Sequence, residues 1–176
     1  MTDIEVQDLG PLHLAGLAQR TTHGANASAE VWRAFGPRVA EVTARADTYR
    51  YNLRQYPEDL SVEELTADTP FTQWATVALT NGEESVPDDL EKFRLPGGTY
   101  AYYTYRGTPA DFGTTLRRVL EEWLPTSGYR VDNSRPHFER LGPDYRPDDP
   151  EASEEVFVPV LARPLDDGFA APTETR

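Results

Sequence analysis

The chain has 176 residues, 38% hydrophobic and 11% aromatic, which suits one substantial folded domain, or two small half-domains sharing a core, and excludes a disordered chain. Its net charge of −13 comes from 30 Asp and Glu against 17 Lys and Arg, with Lys92 the one lysine; such a surface repels phosphate backbones, so direct nucleic-acid binding is not expected, whereas cationic ligands are attracted. Without cysteine there are no disulfides, cysteine-based metal sites or thiol nucleophile. No apolar run approaches the about 20 residues that span a bilayer, and the acidic Met1-Thr2-Asp3 start shows no signal peptide. Membrane association is therefore not expected, and a cytoplasmic setting is. The acidity is explained more simply by a high-salt habitat or a GC-rich genome than by a functional cause.

In chain order, Ile4 to Leu9 alternates apolar and polar residues as a half-buried strand does. Gly10-Pro11 marks a turn, and Leu12 to Thr22 reads as the second strand of a hairpin. From Ala29 to about Ala46, Val31, Phe35, Val39 and Val42 recur at helical spacing with Trp32 on the flank, and Gly36-Pro37 predicts a kink or loosened turn inside that helix. Thr48 to Tyr56 has strand character, Pro57 to Thr69 is an acidic loop with one helical turn, and Phe71 to Thr80 is a strand. In the latter, Trp74, Thr76 and Ala78 share one face, and Ala75, Val77 and Leu79 the other. The turn-rich, acidic stretch Asn81 to Asp89 separates two halves.

The order then restarts. Glu91 to Leu95 is a short strand, Pro96-Gly97-Gly98 a turn, and Thr99 to Tyr105 an aromatic strand. Thr108-Pro109-Ala110-Asp111 is a helix start, with Thr at the cap, Pro at the first helical position and an acid three residues after the cap. Phe112, Leu116, Val119, Leu120 and Trp123 mark one face of the helix before Pro125 and Gly128 stop it. Pro136 to Leu141 and Glu154 to Leu161 are the last strands, joined by the acidic loop Pro143 to Ser153. Both halves follow one plan of strand, turn, strand, helix, strand, acidic loop, strand. The expectation is a single α+β domain over residues 1–163, built of two repeats, 3–80 and 90–161, about a pseudo-twofold axis with a cleft between them. The tail 164–176 is expected to be flexible.

Few motifs carry chemistry. His13, His23 and His137 lack paired metal-ligand spacing, no GxSxG is present, and Gly97-Gly98 lies in a turn between strands, so no metal site, serine hydrolase or phosphate loop is predicted and no cofactor is expected. The positive signal is Glu139 beside dense aromatic residues. Alternation puts His137, Glu139 and Leu141 on one face and Phe138 and Arg140 on the other. If the first face lines the cleft, a carboxylate among aromatic rings can anchor an amphipathic cation or act as a general acid or base. If not, Glu139 is a solvated strand residue paired with Arg135 or Arg140. Tyr100 and Tyr102 oppose Tyr103 and Tyr105, so one pair packs under the helix and the other faces the cleft. Trp32 and Trp123 read as core, Trp74 as either, and pseudo-symmetry would bring Tyr51 opposite the Glu139 strand.

The runs WRAFGPRV (Trp32 to Val39), Trp74 to Leu79, LPGGTYAYYTYRG (Leu95 to Gly107), WLPTSGY (Trp123 to Tyr129), PHFERL (Pro136 to Leu141) and EEVFVPV (Glu154 to Val160) together resemble the DNA gyrase inhibitor-like (GyrI-like) proteins. These are related to the effector-binding domains of bacterial multidrug-sensing transcription regulators. The resemblance covers residues 3–161 and implies two βαββ-type units with a central cleft for hydrophobic or cationic small molecules. It further implies that Glu139, which matches the Glu of the family's Phe-Glu-Arg-Tyr motif, recognises the ligand. Trp74, Tyr51, Tyr103, Tyr105 and Phe157 are the expected wall residues. Some members open cyclopropane rings of DNA-alkylating compounds, which would make Glu139 catalytic, and a gyrase-inhibitor or antitoxin-like role with a protein partner is a third possibility. Leu141 replaces the usual Tyr and Phe157 stands where many members have Tyr, which counts against a tyrosine proton donor at either position. The regulators' helix-turn-helix domain has no counterpart here, so a domain acting alone is expected.

Overall fold

The computed structural model describes residues 3–61 and 64–164. Among these, nine strands form one antiparallel sheet: β1 (Glu5–Leu9), β2 (Leu12–Thr22), β3 (Arg50–Gln55), β4 (Pro70–Leu79), β5 (Glu91–Leu95), β6 (Gly98–Arg106), β7 (Tyr129–Val131), β8 (His137–Leu141) and β9 (Ser153–Ala162). The order across the sheet is β1-β6-β9-β8-β3-β4-β2-β5, with β7 extending the β8 side of β9. Exchanging β1 with β5, β2 with β6, β3 with β8 and β4 with β9 reproduces this order in reverse. The arrangement is thus pseudo-twofold, with the axis at the β3–β8 ladder, and the fold is α+β.

The expected hairpins do not form. β1 pairs with β6 and β5 with β2, so each half gives its first strand to the other. The cause is local. Two-residue hairpins use turns with positive φ at the first central residue, or at both. Proline holds φ near −65°, so Pro96 forbids both turn types at one link and Pro11 the doubly positive type at the other. Neither Gly10 nor Gly97 has positive φ. The links instead pass over each other closely: a Cβ on Gly97 would stand 2.7 Å from the Leu9 carbonyl oxygen.

Two helices cover one face of the sheet. α1 (Ser28–Phe35) buries Val31 and Phe35, with Val42, on Ala15, Ala75, Val77 and Leu79. It is shorter than its apolar spacing predicts, because Gly36–Glu41, containing Pro37, is a 3₁₀ segment. α2 (Pro109–Arg118) widens into a π-type turn over Val119–Trp123, and this unit packs on Tyr103, Val156, Val158 and Val160. Thr108 caps α2 in extended conformation, but its hydroxyl donates to the Asp111 carboxylate at 3.1 Å and makes no side-chain bond to the backbone. The opposite face is closed by Leu14, Tyr51, Leu53, Trp74, Leu95, Tyr100, Phe138 and Phe157. Phe138 and Phe157 stack with centroids 4.4 Å apart, and each such ring contributes roughly 1.5–3 kcal/mol through burial. β7 is absent from the sequence reading, being three residues long. The tail beyond Pro164 lies outside the described residues.

Candidate functional site

The site lies on the helix-covered face, in the gap between α1 and α2. β3 and β8 pair over five residues, from Arg50 opposite Leu141 to Arg54 opposite His137, with Asn52 opposite Glu139 at the centre. The pseudo-twofold axis therefore passes between Asn52 and Glu139. Two residues from the next register pair on each side, Gln73 of β4 and Glu154 of β9 are also equivalents, since Ala75 opposes Asn52 and Val156 opposes Glu139. Strand alternation points all four side chains to one face. They floor a cavity of about 500 Å³.

Glu139 is 2% exposed and pairs with Arg54 of β3. Its other oxygen accepts from Asn52 Nδ2 at 2.7 Å. Asn52 is itself fixed: its Oδ1 accepts from Gln73 Nε2 at 2.7 Å, Trp32 Nε1 at 2.9 Å and the Ser28 hydroxyl at 3.2 Å. With donors on the oxygen, the amide must turn its NH2 towards Glu139. Gln73 also donates to the carbonyls of Leu53 and Trp74, each at 3.1 Å. The Arg54 guanidinium carbon lies 5.0 Å from the centroid of the Phe112 ring, so a carboxylate and an aromatic face hold this cation from two sides.

Glu154 is 9% exposed, and its carboxyl is pushed up to about 7 by burial, with the positive charge of Arg54 opposing. Trp32 and Ala29 of α1 form one wall, Phe112 of α2 the other, and Tyr145 and Pro147 of the 143–152 loop contribute a third side. Burial, then the charge of Glu154, pushes the Tyr145 hydroxyl up to about 12. Arg33 and Arg50 stand at the rim, and Arg50 donates to the Pro143 carbonyl at 3.0 Å. His137, on the same sheet face as Glu139, is sealed below the site. Burial first, and Arg54 second, push its imidazole down to about 3, which keeps it neutral beside Asn133 at 2.8 Å. Among the described residues no group of three or more His, Cys, Asp or Glu is placed to hold a metal ion.

Of the six residues singled out in the sequence, Glu139 lines the cavity, buried and paired with Arg54; it is neither solvated nor paired with Arg135 or Arg140. Tyr51, Trp74 and Phe157 point to the opposite, closed face. Tyr51 sits one residue out of phase with the axis: Arg140 is its cross-strand partner, and its hydroxyl donates to Asp47 at 2.7 Å. Tyr103 and Tyr105 are on the Glu139 face but pack beneath α2, with Val119 and Phe112. Trp32, read as core from its helical position, is half-buried: it packs against the core beneath α1 and also stands on the cavity wall. Arg54, Asn52, Glu154 and Phe112 were not signalled as site residues. For Glu154 a signal existed, since it is in phase with the buried Val156, Val158 and Val160.

The profile of the GyrI-like small molecule binding domain matches residues 2–161, nearly the whole chain. The chain belongs to the GyrI-like family. Two proteins called DNA gyrase inhibitor are similar in sequence: that of Edwardsiella piscicida is 36% identical over 90 residues, 51% of this chain and 56% of its own, and that of Edwardsiella ictaluri 39% identical over 77 residues, 41% and 49%. This GyrI-like chain thus aligns with about half the length of those relatives. In fold it is similar to SAV2435, solved bound to tetraphenylphosphonium, with a TM-score of 0.64, 16% identity and coverage of 90% of this chain and 94% of that one. It is also similar to the C-terminal domain of EcmrR, with a TM-score of 0.62, 16% identity and coverage of 92% and 99%. No helix among the described residues is long and apolar enough to cross a membrane.

Proposed function

We propose that this GyrI-like domain binds amphipathic cationic small molecules in the cleft between α1 and α2, with Glu139 as polar anchor, in a bacterial cytoplasm. The observation that carries the reading is a carboxylate 2% exposed on the floor of a cavity walled by Trp32 and Phe112. A carboxylate taken out of water is held in its charged form by cationic or donor partners, and aromatic faces attract the same cations. Arg54 illustrates the preference from within the chain, as it rests between Glu139 and Phe112. The fold relative SAV2435 was solved with a cation of this class.

Titration of tetraphenylphosphonium, followed by tryptophan fluorescence, tests the anchor. Glu139→Gln removes the negative charge and leaves Arg54 uncompensated beside the incoming cation, so affinity should fall by about tenfold or more, a change worth about 1.4 kcal/mol. Equal affinity for wild type and variant would remove Glu139 from the reading.

A further inference from the structure

Three ionisable groups, Glu139, Arg54 and Glu154, line the cavity beside the two amides of its floor, and they differ in what already binds them. Glu139 has Arg54 and Asn52. Arg54 has Glu139 and the Phe112 ring. Glu154 is nine-tenths buried and faces the cavity, and among the described residues its side chain makes no hydrogen bond or ion pair. Its cross-strand neighbours, Tyr105 and Leu141, give it nothing: the Tyr105 hydroxyl donates to the Thr108 carbonyl at 2.7 Å, and Leu141 is apolar. A buried carboxylate with no donors lacks what keeps its charged form stable.

We propose that Glu154 is a second anchor of the cleft, one that pairs with ligand cations carrying N–H groups, so that the site favours protonated amines over cations without a donor. This rests on the cation-binding reading and adds to it the chemistry of the preferred cation. A carboxylate gains charge-assisted hydrogen bonds from an ammonium. From a phosphonium or quaternary ammonium it gains Coulomb attraction alone, with aromatic contact from Phe112 and Trp32.

The anchor also makes binding proton-linked. The groups facing Glu154 are Arg54 of β3, Glu139 of β8, Tyr103 and Tyr105 of β6, Tyr145 of the 143–152 loop and, beside Tyr105 at the start of α2, Asp111. Burial raises all three tyrosine hydroxyls, so they stay neutral near pH 7. The carboxyl of Glu154 titrates there, at about 7. Below that pH it is neutral and gives a cation no counter-charge. Above it the carboxylate is ready, and affinity for an ammonium rises.

Proflavine, a protonated aromatic amine, and tetraphenylphosphonium, a cation without N–H, separate the possibilities when titrated against wild type and Glu154→Gln between pH 6 and pH 8. For wild type, proflavine affinity should rise about tenfold over that range, with proton release at pH 7 visible by calorimetry in two buffers of different ionisation enthalpy. Glu154→Gln should bind proflavine about tenfold more weakly at pH 8, lose the pH dependence, and bind tetraphenylphosphonium with a smaller loss. If wild type binds both cations with no proton release, or the folded variant keeps the wild-type profile, the second anchor is overturned while the cleft reading stands. Equal losses for both cations overturn the preference for N–H donors. If neither cation binds wild type, both readings fall together.

Discussion

The two floor positions next to the pseudo-twofold axis carry amides in the first half, Asn52 and Gln73, and carboxylates in the second, Glu139 and Glu154. The backbone treats the pairs alike, placing them on equivalent strands at equivalent register. The difference is in bonding. Gln73 is tied to the Asn52 side chain and to two carbonyls, so the amide side acts as scaffold. Glu154 makes no bond to the described residues and Glu139 is steered by that scaffold, so the carboxylate side faces the cavity. Pseudo-symmetry supplies the positions, and the broken symmetry in side-chain chemistry puts both carboxyls of the cavity in the second half.

The sharpest way to break this comparison is to put a carboxylate where the amide stands. Gln73→Glu would set a negative charge against the Asn52 oxygen and the Leu53 and Trp74 carbonyls, and should cost roughly 3–5 kcal/mol in urea unfolding at pH 7. Unchanged stability would mean that the halves are interchangeable. The reverse exchange, Glu154→Gln, should stabilise. The wild-type carboxyl keeps its proton up to about 7 in the folded state against an ordinary 4.5, so the unfolded chain ionises first and wild-type stability falls as pH rises from 4.5 to 7. The variant's advantage should be absent below pH 4.5, grow across that window, and level off above 7 at up to about 3 kcal/mol. Melting curves at pH 4, 6 and 8 check it, and a constant offset would contradict it. The smallest effect concerns the scaffold's link to α1. Trp32→Phe keeps a ring on the wall but removes the donor to Asn52, which should cost about 1 kcal/mol in the same urea assay. No loss would mean that the indole bond does not help to orient the amide.

Much of the fold was legible because it is local. Alternation located the long strands β2, β4, β6 and β9, the apolar spacing located both helices, and Thr108-Pro109 marked the start of α2 within a residue. The link residues Pro11 and Pro96 even carried the information that tight hairpins were disfavoured, although the partner of each freed strand was not readable, because pairing across 75 to 97 residues leaves no local trace. Aromatic density misled the choice of site walls. Tyr51, Trp74 and Phe157 are large rings that close the far face of the sheet, where their burial stabilises the fold.

By itself the sequence determined the class of the protein, the twofold plan, the acidic character and Glu139 as the residue to test. The structure decided which face of β8 meets the cleft, that Arg54 and Asn52 bind Glu139, and that Glu154 joins it across two strands. The physical reason is that alternation fixes which residues share a face but not which face a helix covers or where an axis passes. Those depend on long-range strand pairing, and that pairing turned a neighbouring pair of glutamates into one half-buried ion pair, Glu155 with Arg140, and one buried carboxylate.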